Sequence, residues 1–178
     1  VTNALQWAKD TGCDGFRLDA VKHIEDAWLL DLRARLTSEI ESVTHEHFYL
    51  VGETFSGDRG AISYYVKPSM LDGQFDFPLR AAIVSSLLTR SSGLGALEGE
   101  ANASDQTFGA GVMSTFVGNH DVPRSIHFAE DAPLWQDPWA NGRDRNWSNQ
   151  PAQPASSSAY QRLANAFTFI MTTKGVPL

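Results

Sequence analysis

Three acidic residues stand directly after apolar segments of the chain, where carboxylates can do acid–base chemistry. Asp19 ends the segment 15–19, Glu53 ends 50–53 and Asp121 ends 116–121. Carboxylates crowded into one cleft push each other's pKa values apart, which leaves one protonated acid beside one ionised nucleophile. Such a pair suits the cleavage of a glycosidic bond. Each carboxylate taken alone is also a candidate helix N-cap or salt-bridge partner, but three of them in this setting favour a shared site.

Basic side chains accompany the first of these carboxylates. Arg17 lies two residues before Asp19 and therefore on the same side of an extended strand, where its charge favours the ionised form of Asp19. A structural salt bridge from Arg17 to a neighbouring strand is compatible with that role. Lys22 and His23 follow Asp19 and are candidates for hydrogen bonds to sugar hydroxyls, with simple solvation at the surface as the alternative.

The elements that must position these residues alternate between strands and helices. Predicted strands cover 13–19, 48–52, 71–77 and 112–117, and a fifth strand begins at 175–178. Predicted helices cover 2–10, 25–43, 79–89 and 159–173. The segment 91–99 has the composition of a helix end or loop, and the segment 129–158 has that of a long loop. This order implies an α/β fold with a parallel sheet and helices outside it. The carboxyl ends of parallel strands share one face, so the three carboxylates are expected to converge on one cleft.

Both an open doubly wound sheet and a closed barrel follow this order of elements. No Gly-x-Gly-x-x-Gly or Walker-type loop follows any predicted strand, which disfavours a nucleotide-binding doubly wound fold. The chain opens on Val1 rather than Met and stops in the apolar run 174–178, so we expect it to be a piece of a longer protein.

Composition narrows the class of partner. The 178 residues carry 14 basic and 21 acidic side chains, a formal net charge of −7, and no run of Lys or Arg. This balance argues against nucleic acid or an anionic membrane as the main partner and fits a neutral or small polar substrate. No stretch approaches the roughly 18 apolar residues of a membrane span. The single cysteine, Cys13, allows no disulfide within the chain and leaves the compartment open.

Three segments carry a resemblance to a known family. The segments 15–23 (GFRLDAVKH), 51–55 (VGETF) and 116–121 (FVGNHD) resemble the second, third and fourth signature regions of the alpha-amylase family, glycoside hydrolase family 13, in that family's order. The resemblance covers essentially the whole chain. It implies a parallel (β/α)8 TIM barrel that is incomplete here, with about strands four to eight only, so that residues 1–178 form a partial catalytic barrel domain.

The resemblance also implies a role for each candidate residue. Asp19 corresponds to the nucleophile of a retaining double displacement, Glu53 to the general acid/base, and Asp121 to the carboxylate that binds sugar hydroxyls and stabilises the transition state. Arg17 and His120 match supporting substrate-binding residues. The implied activity is hydrolysis of α-1,4-glucosidic bonds in starch-like glucans by the longer protein, with this chain alone expected to be inactive.

Other activities stay open within and outside this enzyme class. Transglycosylases and α-glucosidases belong to the same family, although the segment 21–23 (VKH) resembles alpha-amylases more than exo-acting α-glucosidases. A catalytically silent barrel used for carbohydrate binding is the alternative from another class. The implied partner is an α-glucan polysaccharide or oligosaccharide, bound by a protein expected to be monomeric at full length, and this substrate class favours a secreted or periplasmic location.

A calcium site is implied only by the resemblance to this family. In calcium-binding amylases a backbone carbonyl at the position of His23 often contributes to the ion site. The family's first signature region and most of the usual calcium ligands are absent from this sequence. Calcium is therefore implied for the longer protein, and this chain alone is not expected to hold it well.

Two further groups of residues have ordinary interpretations beside functional ones. Trp135, Trp139 and Trp147 lie in the predicted loop, where stacking on sugar rings and local packing are equally favoured. His45 and His47 lie between a helix and a strand, at the end of the barrel opposite the catalytic face. Solvated loop histidines are the default interpretation there, ahead of a metal site.

Overall fold

The computed structural model describes residues 1–141 and 151–178. This part of the chain divides into two compact units. The first unit comprises Val1–Phe75 and Thr107–Ser114, and the second comprises Asp76–Gln106 and Thr115–Leu178. Each unit has its own hydrophobic cluster.

The first unit contains a parallel sheet in the order β1-β2-β3, with β1 at Gly15–Leu18, β2 at Tyr49–Gly52 and β3 at Gly73–Gln74. The parallel register pairs Phe16 with Leu50 and Leu18 with Gly52. On the other side of β2, Val51 pairs with Gly73, where a Cβ atom would lie 1.8 Å from the carbonyl oxygen of Val112. A residue with a side chain does not fit at that position without a shift of backbone.

Helices and short turns surround this sheet. They are α1 (Thr2–Thr11), a 3₁₀ turn (Val21–His23), α2 (Asp26–Leu36), a π-helical turn (Thr37–Glu41), α3 (Ser42–Thr44) and α4 (Arg59–Ser63). Gly12 ends α1 in the left-handed conformation, φ 64°, which glycine adopts without a side-chain penalty. The core of this unit consists of Leu5, Ala8, Val21, Leu29, Leu32, Leu36, Phe48, Leu50, Met70 and Leu71.

The second unit is mainly helical. Its elements are α5 (Phe77–Ile83), a π-helical turn (Val84–Leu88), α7 (Ser125–Phe128), α8 (Ser157–Thr172) and β5 (Val176–Pro177), while α6 (Leu94–Phe108) and β4 (Ser114–Thr115) run across the division between units. Asp76 caps α5 by accepting a hydrogen bond from the Leu79 N–H, and Pro78 lies in the first turn, where its missing N–H costs nothing. The core contains Leu79, Ile83, Val84, Leu88, Leu97, Val117, Phe128, Ala129, Ala159, Ala166 and Ile170.

The structure confirms the alternation of strands and helices and the parallel pairing, and it corrects two details. The segment 91–99 was expected to be a helix end or loop, yet α6 begins at Leu94 within it. The predicted helix 25–43 is helical throughout, but its π-helical turn changes the phase of the apolar stripe: Val43 is 73% exposed and the side chain of Glu41 only 16%.

Among the described residues, no helix combines the length and the apolar character that crossing a lipid bilayer requires.

Candidate active site

One guanidinium group joins two of the three candidate carboxylates. Arg17 lies on β1, and its Nη1 donates to Asp19 Oδ1 at 2.6 Å. Its Nη2 donates to Glu53 Oε2, on the segment that follows β2. The expected contact with Asp19 is therefore present, and so is the salt bridge to a neighbouring strand that stood beside it as an alternative.

Backbone hydrogen bonds place Asp19 and Glu53 side by side. The Glu53 N–H donates to the Leu18 carbonyl at 2.9 Å, and the Val21 N–H donates to the Glu53 carbonyl at 2.8 Å. These bonds continue the parallel pairing of β1 and β2 past the ends of both strands. Between them, Ala20 adopts a left-handed conformation, φ 45°, which turns the chain after Asp19 into the 3₁₀ turn.

The two carboxylates differ sharply in exposure. The side chain of Glu53 is 5% exposed, whereas that of Asp19 is 70% exposed. The Arg17 guanidinium also lies over the ring of Phe75, 5.7 Å from its centroid, so an apolar surface backs the charge. Two acids in such different surroundings can take different protonation roles in one reaction.

A cavity of about 380 Å³ opens beside the segment that follows Glu53. Its lining residues are Lys22, Thr54, Phe55, Ser56, Gly60, Ala61, Tyr64 and Tyr65. Lys22 Nζ donates to the Phe55 carbonyl at 3.2 Å, which holds this exposed cation at the cavity. The hydroxyl of Thr54 is buried, and no residue in the described ranges accepts a hydrogen bond from it or donates one to it. His23 is exposed at the end of the 3₁₀ turn.

Sequence reasoning did not single out the aromatic part of this cavity. Tyr64 and Tyr65 pack edge to face, with ring centroids 5.0 Å apart, and Lys67 Nζ lies 4.3 Å from the centroid of the Tyr64 ring. The Tyr64 hydroxyl donates to Asp26, and this hydrogen bond raises the pKa of Tyr64. The only available signal was the Tyr-Tyr pair shortly after the Glu53 motif.

The third candidate carboxylate belongs to the second unit. Asp121 lies in the turn after β4, with its side chain 3.4 Å from Nε2 of His120 and its N–H donating to Asn119 Oδ1 at 3.0 Å. Both side chains are exposed. The structure thus groups Arg17, Asp19 and Glu53 in the first unit, and His120 with Asp121 in the second.

The tryptophans of the predicted loop have local partners where they are described. Trp135 packs near His127 and Phe128, with ring centroids 6.4 and 6.2 Å apart, and borders the core of the second unit. Its position supports the packing interpretation. The Trp139 N–H donates to Asp137. Trp147 lies outside the described residues.

The implied calcium ion has no assembled ligand set in the described ranges. Calcium takes six to eight oxygen ligands, yet residues 1–141 and 151–178 contain no group of three or more His, Cys, Asp or Glu side chains able to hold a metal. The backbone carbonyl of His23 alone does not make a site, so these residues do not fit the ion by themselves.

His47 proves to be more than a solvated loop histidine. Its side chain is well exposed, but Nδ1 lies 2.9 Å from Glu41 and Nε2 lies 2.7 Å from Asp72. Arg33 contacts the same two carboxylates. This cluster ties the start of β2 to the segment before β3, away from Asp19 and Glu53 at the carboxyl ends of the strands.

Known proteins resemble this chain over most of its length. Residues 2–138 match the family model of the alpha-amylase catalytic domain. The chain is 31% identical over 139 residues to an alpha-amylase of Streptomyces lividans, a match that covers 72% of this chain and 14% of that protein. It is 32% identical over 147 residues to an alpha-amylase of Geobacillus stearothermophilus, covering 78% of this chain and 24% of that one.

A solved structure of an alpha-amylase is also similar to this chain. The crystal structure of an alpha-amylase from Geobacillus thermoleovorans, complexed with acarbose, superposes with a TM-score of 0.73 at 28% identity, covering 99% of this chain and 33% of that one. The chain therefore spans a third or less of the relatives named here. Because the family model covers more than half of the sequence, the parallel strands and helices belong to a (β/α)8 barrel fragment, and the chain belongs to the alpha-amylase catalytic-domain family.

Proposed function

We propose that this chain is the part of a longer retaining glycoside hydrolase that supplies about strands four to eight of its barrel, and that the protein cleaves α-1,4-glucosidic bonds of starch-like glucans. The observation that carries the proposal is the pair of salt bridges from Arg17 to Asp19 and Glu53. Similarity to alpha-amylases, one of them complexed with acarbose, supports the substrate class.

In the first step Glu53 donates its proton to the glycosidic oxygen while a carboxylate oxygen of Asp19 attacks the anomeric carbon. The bond between that carbon and the glycosidic oxygen breaks, the leaving glucan takes the proton, and the remaining sugar is covalently bound to Asp19. The nearly buried side chain of Glu53 suits an acid that must hold its proton away from bulk water.

In the second step the roles reverse. Glu53, now ionised, removes a proton from water, and the water oxygen attacks the anomeric carbon and displaces Asp19. The contact from Arg17 to Asp19 favours the ionised nucleophile of the first step, and the contact from Arg17 to Glu53 favours the ionised base of the second step. Asp121 would bind sugar hydroxyls and offset the positive charge that develops on the ring, with His120 as a supporting hydrogen-bond partner.

The substrate would extend along the cavity next to Glu53. Lys22, Tyr64 and Tyr65 line that cavity and offer a cation and two aromatic rings to the sugars on the leaving-group side. Aromatic faces and hydrogen-bond donors are the groups that neutral sugars require of a binding surface.

The stereochemistry of the product tests the proposal. In the full-length protein, proton NMR of the first product formed from a maltooligosaccharide should show the α anomer before mutarotation, since two displacements restore the configuration. The β anomer as first product would remove Asp19 from the role of nucleophile.

A further inference from the structure

Arg80 is a buried cation without a carboxylate partner in the described part of the chain. The residue is 1% exposed, and its guanidinium lies near the rings of Phe116 and Phe128, 5.9 and 5.8 Å from their centroids. Burial lowers the pKa of Arg80 to about 10, so the side chain still carries its charge at neutral pH. A buried and unpaired charge is costly, which requires that its remaining contacts contribute something specific.

Those contacts are carbonyl groups of the main chain. Arg80 Nε donates to the Val117 carbonyl at 3.0 Å, and Nη1 donates to the Pro138 carbonyl at 2.6 Å. The Val117 carbonyl accepts a second hydrogen bond from Ser125 Oγ, also at 3.0 Å. The side chains of Arg80 and Ser125 therefore hold the carbonyl of Val117 in place, and Arg80 also holds the segment around Pro138.

Val117 is the last buried residue before the segment that carries Asp121. From Gly118 to Asp121 the chain is partly or fully exposed, and the contacts of Asp121 are to its neighbours Asn119 and His120. At the start of this segment, a Cβ on Gly118 would lie 2.6 Å from Ser125 Oγ, so the backbone passes close to the same anchor. After Asp121 the chain is buried again at Val122 and Pro123, so the exposed segment 118–121 is anchored at both ends. The Val117 carbonyl belongs to the anchor on the N-terminal side of Asp121.

We propose that Arg80 is a positioning residue for Asp121, which it holds in place through its hydrogen bond to the Val117 carbonyl. This inference rests on the role of Asp121 in the proposed function. A guanidinium is suited to the task because its planar fork reaches two carbonyls at once, which a lysine ammonium does not do with the same geometry. A displacement of about 1 Å at a reacting group is enough to cost a large part of the rate.

The chain offers a matched control in Arg162. This residue is also buried in the second unit, and its Nη1 donates to the carbonyls of Ala129 and Glu130 at 2.7 and 3.0 Å. Those carbonyls belong to a segment with no proposed site residue. Arg162 also pairs with Asp131 and donates to Ser158 Oγ, so Arg162→Lys disturbs at least as many contacts of a buried guanidinium as Arg80→Lys does. Only Arg80→Lys acts next to Asp121.

The test measures kcat and KM of the full-length protein on an aryl maltooligosaccharide. Arg80→Lys should lower kcat about tenfold or more with little change in KM, whereas Arg162→Lys should lower the melting temperature and leave kcat within about twofold of the parent value. In an Asp121→Asn background Arg80→Lys should cause no further loss of kcat, because the group it positions is already disabled. Losses that multiply in the double variant would overturn the inference.

A second variant keeps the inference testable if Arg80→Lys does not fold. Ser125→Ala removes the other hydrogen bond to the Val117 carbonyl without touching a charge, and it should lower kcat by a smaller factor that also disappears in the Asp121→Asn background. If Asp121→Asn lowers kcat but neither Arg80→Lys nor Ser125→Ala does, the positioning role is wrong while the proposed function stands. If Asp121→Asn itself leaves kcat unchanged, the proposed role of Asp121 is wrong and the positioning role falls with it.

Discussion

At the scale of single residues, the contact between Arg17 and Asp19 was predictable. A salt bridge from Arg17 to a neighbouring strand was expected as well, but the sequence did not identify Glu53 as its partner. Two positions along a strand share a face, which is enough to predict the first contact. The second depends on the register of two strands that are far apart in sequence. Because Leu18 pairs with Gly52, the next residues on each strand are Asp19 and Glu53. No pattern within either segment contains that register.

Glu53→Gln should separate two classes of substrate. The amide cannot protonate a leaving oxygen, so hydrolysis of natural glucans should fall by about 10² to 10⁴, while cleavage of an aryl glycoside with a good leaving group should fall far less in its first step. Steady-state rates on both substrates, with a burst of aryl alcohol followed by slow turnover, check this in the full-length protein. Equal losses of kcat/KM, which covers only the steps through the first displacement, would show that Glu53 is not the acid.

Replacing Lys22 and His23 with Ala should discriminate by substrate length. Lys22 lines the cavity next to Glu53, so loss of both side chains should reduce kcat/KM on long α-1,4-glucans about tenfold and leave a small aryl glucoside nearly unaffected. Lys9→Ala is a suitable control because Lys9 pairs with Glu39 in a salt bridge at the surface. An unchanged ratio between the two substrates would favour an exo-acting enzyme instead.

At the scale of elements, apolar spacing located most of the helices and strands, but it missed a change of phase. The stripe through Leu29, Leu32, Leu36 and Ile40 predicted that Val43 also faces the core. A π-helical turn contains more residues than an α-helical turn, so the side chains that follow it point in a different direction around the helix axis. Glu41 then reaches Arg33 and the Phe48 N–H, while Val43 is exposed. Helix α6 was missed because Gly93, Gly95 and Gly99 lie near or within its first turns and resemble a loop.

Two glycines should respond oppositely to alanine. Gly73→Ala places a Cβ against the Val112 carbonyl and should lower the free energy of unfolding by about 2 kcal/mol or more. Gly99 lies in α6 with no atom within 4 Å of an added Cβ, so Gly99→Ala should raise it by about 0.5 to 1 kcal/mol. Thermal unfolding of the full-length variants checks both signs, and a neutral Gly73→Ala would show that the β3 segment is not packed as described.

The Asp72 cluster should make the first unit sensitive to acid. Burial raises the pKa of Asp72, but hydrogen bonds from the Leu50 N–H and His47 and the charge of Arg33 outweigh it, and the pKa is lowered overall. A carboxylate with a lowered pKa in the folded state contributes stability that is present above its ordinary value of 3.8 and is lost as pH falls through the lowered value. The loss should therefore begin below about pH 4.

Asp72→Asn provides the measurement. It should lower the stability at pH 7 by about 2 kcal/mol and flatten the fall of the melting temperature below pH 4. Glu46→Gln, at an exposed carboxylate near the same cluster, is the control and should leave the pH profile unchanged. An Asp72→Asn profile parallel to that of the parent would assign the acid sensitivity to other groups.

At the scale of the whole molecule, the three motifs were enough to identify the family. They were not enough to predict the properties of the longer protein. The alternation of strands and helices is compatible with both an open sheet and a closed barrel, and only the family match selects the barrel. The calcium ligands, the oligomeric state and the compartment depend on residues or partners outside this sequence. They stay predictions for the longer protein.

The 178 residues expressed alone should be inactive on starch and prone to associate. In the described part of the chain β1 is an edge strand of its sheet, and Trp7, Val43, Leu94 and Met171 are large apolar side chains that are mostly exposed. Unpaired edges and apolar surface of this kind promote aggregation. Size-exclusion chromatography with a reducing-sugar assay checks the prediction. A monodisperse monomer that cleaves starch would contradict it.

The hydrogen bond from the Val21 N–H to the Glu53 carbonyl has a consequence for measurement. Val21 is fully buried, so its amide proton exchanges with deuterated water only when this bond opens, which separates the turn after Asp19 from the backbone of Glu53. The exchange rate of one proton therefore reports how often the chain segments that carry the two carboxylates part, in the absence of any substrate. An oligosaccharide that contacts both carboxylates should slow that exchange, so the Val21 amide should report occupancy of the site.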